Sequence, residues 1–200
     1  MNLEEELQIF PEALGDRIRL EPDRGRARGF EFLLDRRTGR HWAWSASYVW
    51  ALAEDEVDGI WLPGRYDQRH ALGLLATYRP NNRWDFTAGW RYHSGWPATS
   101  WTWDVTTLES GYNWWEKRYG PVRGEHLPAY HRLDLRATRN FLVRGNVFTV
   151  FLDLFNVYDR TNISSYDYVG TYRNDQLRVT QINGQEMLPL LPTFGFRYEF

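Results

Sequence analysis

The feature that most constrains this chain is a side-chain period of two that recurs along most of its length. From His41 to Ala53 the even positions are Trp42, Trp44, Ala46, Tyr48, Trp50 and Leu52, and the odd ones are small or polar, as in Ala43, Ser45, Ser47 and Ala51. Successive side chains of an extended strand point to opposite faces, so this pattern predicts a strand between two different surroundings. The same alternation returns over 67–79 (His70, Leu72, Leu74, Ala76, Tyr78) and 84–95 (Trp84, Phe86, Ala88, Trp90, Tyr92). It recurs again over 131–139 (Leu133, Leu135, Ala137), 147–158 (Phe148, Val150, Leu152, Leu154) and the closing run Phe194, Phe196, Tyr198, Phe200. A first strand is expected near 28–36, with Phe30, Phe32 and Leu34 on one side.

The connections alternate in length. Those around Thr38-Gly39-Arg40, Pro80-Asn81-Asn82-Arg83 and 140–146 are short, whereas 54–66, 96–129 and 159–190 are long. A meander with tight turns at one end and long loops at the other is the layout of an outer-membrane barrel, whose turns are periplasmic. The fold expected is all-β, an antiparallel up-and-down transmembrane β-barrel segment of about seven or eight strands from a larger barrel.

Aromatic content supports that choice over a soluble β-sandwich. The chain has 11 Trp, 12 Tyr and 11 Phe in 200 residues, with Trp and Tyr concentrated near strand ends, where a membrane-interface girdle sits. Strands of ~10–13 residues exceed the ~5–6 common in globular sheets and suit a tilted bilayer crossing. The face opposite the rings carries Arg69, Arg91, Arg132, Asp134, Arg136, Asp153, Arg197 and Glu199, which a small packed core could hold only with a partner for every charge. A mean hydropathy of −0.62 excludes helical spans but not a barrel, in which only alternate residues meet lipid. A net charge of −2 leaves no polyanion footprint, so nucleic acid is excluded as a partner, and the absence of cysteine removes disulfide and thiol chemistry.

Ordered motifs resemble the barrel of TonB-dependent outer-membrane receptors. Tyr130-His131-Arg132-Leu133-Asp134-Leu135-Arg136 is similar to a strand near the end of that barrel, and 150–162, with Asn156, Asp159-Arg160-Thr161 and Asn162, resembles its penultimate strand. Leu191-Pro192-Thr193-Phe194-Gly195-Phe196-Arg197-Tyr198-Glu199-Phe200 resembles the closing strand with its terminal Phe. Upstream, Gly29-Phe30-Glu31, Tyr66-Asp67-Gln68-Arg69-His70 and His93-Ser94-Gly95-Trp96-Pro97 match in the same order. The resemblance implies residues 26–200 as the C-terminal part of such a receptor barrel, with 1–25 an incomplete preceding strand and its loop.

It further implies location in the outer membrane of a Gram-negative bacterium and TonB-powered uptake of a scarce nutrient such as a ferric siderophore or cobalamin. The expected partners are outer-membrane lipid, the barrel-assembly machinery, an unnamed nutrient, and the TonB complex through an N-terminal plug that these residues do not include. Phe194, Phe196, Tyr198 and Phe200 look like the signal read by the barrel-assembly machinery. The start, MNLEEELQIF, has acidic residues where a signal peptide would be basic, so a fragment, a truncated product or a mis-called start is expected.

Candidate ligand-binding residues fall in two groups. Arg69, Arg91, His93 and Arg132, with Asp67 and Asp134 nearby, would project into the lumen from three consecutive strands. Arginines so placed can hold an anionic ligand, or form a structural charge ladder between strands. Trp101, Trp103, Trp114 and Trp115 lie in the longest connection, where exposed rings can stack on a sugar or an aromatic chelator, or pack on one another as a hairpin. No catalytic or metal-binding pattern is present: the five His are scattered without HExxH spacing, and Ser94-Gly95 lacks the GxSxG elbow. Neither an enzyme nor a cofactor is expected. Two other readings compete with the receptor: a small stand-alone outer-membrane barrel of structural or adhesion role, and a soluble aromatic-rich carbohydrate-binding β-sandwich.

Overall fold

A computed structural model describes residues 20–36, 39–173 and 176–199; for Trp103, Trp115, Lys117 and 167–183 the backbone alone is described. Its strands are β1 (Arg24–Arg36), β2 (Trp42–Val57), β3 (Ile60–Pro63), β4 (His70–Asn81), β5 (Trp84–His93), β6 (Pro97–Ala98) and β7 (Trp101–Thr107). There follow β8 (Asn113–Tyr119), β9 (Glu125–His126), β10 (Tyr130–Val143), β11 (Asn146–Phe155), β12 (Ile163–Arg173), β13 (Gln176–Glu186) and β14 (Leu191–Glu199). There is no helix among the described residues.

The long strands form one antiparallel meander in the order β1-β2-β4-β5-β10-β11-β14, with β3 paired to the end of β2. All seven strands expected from the alternation are therefore present. The short turns at 80–83 and 140–146 occur where the sequence places them, and that at 38–40 includes a residue outside those described. The 140–146 turn shows why: Arg144 and Gly145 both have positive φ, 54° and 86°. A two-residue turn of that kind matches the twist of the strands it joins.

The long connections are not plain loops. They hold the β3 ribbon, the β6–β9 pair, and two separate hairpins, β7–β8 and β12–β13. Beta-strand β2 also runs four residues past the expected end, because Glu54 and Glu56 are held across the ladder by Arg26 and Arg24 of β1.

Register sorts the side chains into two faces. Leu34, Ala46, Leu74, Trp90 and Leu133 stand opposite one another across five strands, and Ala137, Leu152 and Phe194 continue the same face. On the other face, Ala43, Thr77, Thr87, Arg136, Asp153 and Thr193 lie in one row. Neither face is covered. Among the described residues the buried apolar side chains are Leu127 and Met187, both in connections, while Phe32, Leu34, Trp42, Phe194 and Phe196 of the apolar face are exposed. Rings gathered around a dry centre would be required of a sandwich, and they are absent from the described residues.

The apolar face carries aromatic rings at two levels. One level has Phe30 stacked on Trp50 at 5.4 Å, Tyr48 sharing a 2.9 Å hydrogen bond with His70, Tyr92 beside Trp90, and His131 bonded to the Tyr158 hydroxyl at 2.7 Å. The other has Trp42 stacked on Tyr78 at 4.5 Å, Trp84 on Phe86, and Phe148 against Phe141, Phe196 and Tyr198. Trp50 to Trp42, His70 to Tyr78 and Tyr92 to Trp84 each span eight residues. That is about 27 Å along a strand, or roughly 20 Å across the layer at a tilt of ~40°. The layer between the levels contains Ala46, Leu72, Leu74, Ala76, Ala88, Trp90 and Leu133, and its charges among the described residues, Arg36 opposite Trp44 and Arg139 opposite Trp84, lie toward the Trp42 and Trp84 level.

Candidate functional site

The charged face is a lattice of ion pairs built by strand geometry. Positions i and i+2 of one strand, or opposite positions of two, lie close enough for an arginine to meet a carboxylate. Arg132 reaches Asp134 at 3.0 Å on β10, Arg136 reaches Asp153 at 3.5 Å across to β11, and Arg197 reaches Glu199 at 3.1 Å on β14. Arg79 meets Asp85 at 2.6 Å, and Arg69 meets the buried Asp67 at 3.0 Å. Guanidinium groups also lie over rings of the same face, Arg132 at 3.6 Å from Phe155 and Arg136 at 4.2 Å from Phe151.

The expected lumenal residues separate into two kinds. Arg69 and Arg132 are engaged: Arg132 is buried, bonded to Asp134 and stacked on Phe155, and Asp134 also accepts the Asn156 amide at 3.0 Å. Arg91 and His93, on β5, instead open onto a groove of about 450 Å³ shared with Ser47, Gln68, Ala71, Trp96, Tyr130 and Met187. A second groove of about 570 Å³ adjoins it along the same face, lined by Arg91 with Ser45, Gly73, Gly89, Asp134, Arg136, Asp153 and Thr193. His93 is sandwiched between Tyr130, 4.7 Å away, and Trp96, 5.2 Å away, and Tyr66 meets Trp96 edge-on at 5.9 Å.

Trp96 belongs to the aromatics of the longest connection, whereas nothing in the sequence marks Tyr130 as a site residue. The Tyr130 ring meets His93 through the pairing of β10 with β5, strands with 36 residues (94–129) between them in the chain, which no local pattern joins.

Four of the five tryptophans of the longest connection, Trp101, Trp103, Trp114 and Trp115, lie on one hairpin, β7–β8. Trp101 pairs with Tyr119, Val105 with Trp115 and Thr106 with Trp114, and Trp103 is opposite Lys117. Trp114 is 59% exposed and Tyr112 and Tyr119 are also exposed, so this hairpin leaves ring surface uncovered. The side chains of Trp103 and Trp115 lie outside what is described.

Its base is fastened to the sheet. Arg123, with a positive φ of 52°, donates from Nη1 to Asp55 at 2.6 Å and to the Pro63 carbonyl at 2.8 Å, and its backbone N–H donates to Thr99. Close packing of Gly95 on Leu127 completes the closure, since a Cβ on Gly95 would fall 1.6 Å from the Leu127 carbonyl oxygen.

Phe194, Phe196 and Tyr198 lie on the apolar face of β14, with Phe194 and Phe196 at 85% and 74% exposure; Phe200 is outside the described residues. No group of three or more His, Asp or Glu side chains forms a metal-binding cluster among the described residues.

No family profile and no curated protein matches the chain. Two solved structures do. One is the ferripyoverdine receptor of the outer membrane of Pseudomonas aeruginosa, solved with ferripyoverdine bound: 18% identity, 88% of this chain and 20% of that chain covered, TM-score 0.50. The other is the siderophore receptor PiuA from Acinetobacter baumannii: 17% identity, 86% of this chain and 22% of that chain, TM-score 0.44. The first likeness shows a shared fold, that of a receptor barrel wall, and this chain spans about a fifth of the receptor's length.

Proposed function

We propose that this receptor-like sheet is part of the barrel of a TonB-dependent receptor in a Gram-negative outer membrane, and that the whole receptor takes up a scarce nutrient such as a ferric siderophore or cobalamin. The observation that carries the reading is the apolar face: a layer bounded on both sides by rings eight residues apart, whose charges among the described residues, Arg36 and Arg139, lie toward one ring level, backed by a face of paired charges. Such a sheet is unstable in water, where the apolar face is exposed, and at home where that face meets acyl chains and the other meets a hydrated or filled lumen.

Within this reading Arg69, Arg91, His93 and Arg132 face the lumen, and Arg91 with His93 form the part open to a ligand. The β7–β8 hairpin with Trp101, Trp103, Trp114 and Trp115 extends from the outer surface toward arriving solutes. Phe194, Phe196, Tyr198 and Phe200 serve barrel assembly, and energy coupling to TonB belongs to parts of the receptor outside this chain. The reading assigns binding and passage, not catalysis. A stand-alone barrel is less favoured, because seven antiparallel strands leave β1 and β14 running in the same direction, so they cannot close an all-antiparallel barrel on each other.

Fractionation tests the membrane assignment. The chain is expected in the outer-membrane fraction, released only by detergent, with gel mobility that changes on boiling. Recovery as a folded monomer in detergent-free buffer would overturn it.

A further inference from the structure

Counting counter-charges along the charged face singles out one residue. Arg79, Arg132, Arg136 and Arg197 each meet a carboxylate on this face, and Arg69 does so at the entry to β4. Arg91, exposed and on the same face of β5, has no carboxylate partner among the described residues. Its cross-strand neighbours explain why. On one side is Gly73, which has no side chain; on the other is Arg132, a like charge already committed to Asp134 and Phe155. Gly73 also keeps the wall flat, since a Cβ there would come within 2.7 Å of the Ser47 hydroxyl.

Arg91 therefore sits where two grooves of about 450 and 570 Å³ adjoin, lining both, and meets no carboxylate among the described residues. The 450 Å³ groove is walled by the Tyr130–His93–Trp96 column. Three stacked rings, those of Tyr130, His93 and Trp96, therefore line one wall of the groove. Aromatic rings pair with another ring edge to face or offset-stacked. A planar fork of donors beside such rings suits one ligand chemistry: a flat aromatic ring bearing a carboxylate.

We propose that this groove binds an aromatic carboxylate, held by Arg91 through its anion and by the His93, Trp96 and Tyr130 column through its ring. The inference deepens the receptor reading, on which it rests for the source of such a solute, by naming the ligand class and the anchoring residue.

The test uses the full chain extracted from membranes in detergent and naphthoate as the probe, measured by equilibrium dialysis. Naphthoate is expected to bind. Naphthamide, which lacks the charge, and cyclohexanecarboxylate, which lacks the aromatic face, should each bind roughly tenfold more weakly. R91Q should weaken naphthoate by roughly tenfold, whereas R79Q, on the same face but paired with Asp85 and outside both grooves, should leave it unchanged. Equal binding of naphthamide and naphthoate, or binding indifferent to R91Q, would overturn the proposal. So would absence of naphthoate binding combined with a lower unfolding temperature in R91Q, which would assign Arg91 to a protein carboxylate. Failure of the receptor reading is seen separately, as a chain that needs no detergent, whatever the dialysis shows.

Discussion

At the scale of single residues, the motif side chains that look most like a binding set are largely fasteners. Asn156 is completely buried at a φ of 53° and makes three side-chain hydrogen bonds. Its Nδ2 donates to the carbonyls of Arg160 and Leu188 at 2.9 and 3.2 Å, and its Oδ1 accepts from the Arg160 amide at 3.1 Å. Asn162 imitates a strand, accepting from the His131 amide and donating to the His131 carbonyl, so β10 is extended by one side chain. Asp67 makes half of that arrangement, accepting from the Ala53 amide of β2 at 2.8 Å. An N156A change leaves buried backbone groups without partners and puts alanine in a left-handed conformation, a cost of about 3 kcal/mol. Thermal loss of the heat-modifiable gel band should therefore come at markedly lower temperature, and N156G should recover only the backbone part.

Charge contributes at the same scale beyond the outer ring level, outside the membrane-spanning layer. Hydrogen bonds from Arg26 and Arg24 hold the carboxyls of Glu54 and Glu56 below their usual range. A depressed carboxylate adds stability that is present above its unfolded pKa and is lost as pH falls through the folded value. The β2–β3 ribbon should therefore loosen on acidification below about pH 4. Arg26 lies 4.0 Å over Trp61, so fluorine NMR of fluorotryptophan-labelled protein, with Trp61 assigned through W61F, should report the change. In E54Q/E56Q that resonance should not titrate.

At the scale of elements, strand length and connection length do different work. The strands of the sheet carry a recurring eight-residue interval between ring levels, which fits the thickness they would cross in the proposed reading. The connections are set by what they build on one side. The β7–β8 hairpin is an independent two-stranded unit, and such a unit is marginal in water without further packing. It contains Lys117, the only lysine of the chain. A membrane-impermeant amine reagent applied to intact cells should label Lys117 if the long connections face outward, and K117R should remove that label. Labelling only after cell lysis would place the hairpin on the inner side and reverse the orientation.

At the scale of the whole molecule, the sheet is defined by its two edges. Beta-strands β1 and β14 run the same way because five strands alternate between them. Completing an all-antiparallel barrel therefore takes an odd number of further strands, and copies of this chain joined end to end would need a parallel seam. Unpaired backbone groups at such edges are costly in lipid, so the edges are where additional strands belong. Because the chain has no cysteine, engineered pairs test this on a clean background. A76C/A88C, opposite positions of β4 and β5, should form a disulfide. F32C/F196C, on β1 and β14, should form none within or between copies. A disulfide there would show self-closure or a ring of copies.

The sequence by itself determined the seven long strands, their up-and-down order, the short turns and which residues face which side. Each of these is local: a period of two assigns the face, and a Gly or Asn beside a charged residue marks the turn. It also determined that charges gather on one face, with Arg69, Arg91, His93 and Arg132 among them. Only the tertiary structure decided which of those charges are spent. Whether Arg132 is available depends on Asp134, Phe155 and Asn156, and whether Arg91 is available depends on Gly73 across one ladder and Arg132 across the other. Pairing between strands far apart in sequence is invisible to a periodic pattern, because the pattern repeats without saying which repeat lies beside which. The same reason hid the β12–β13 hairpin and the fastening of Arg123 to Asp55, which joins segments 68 residues apart.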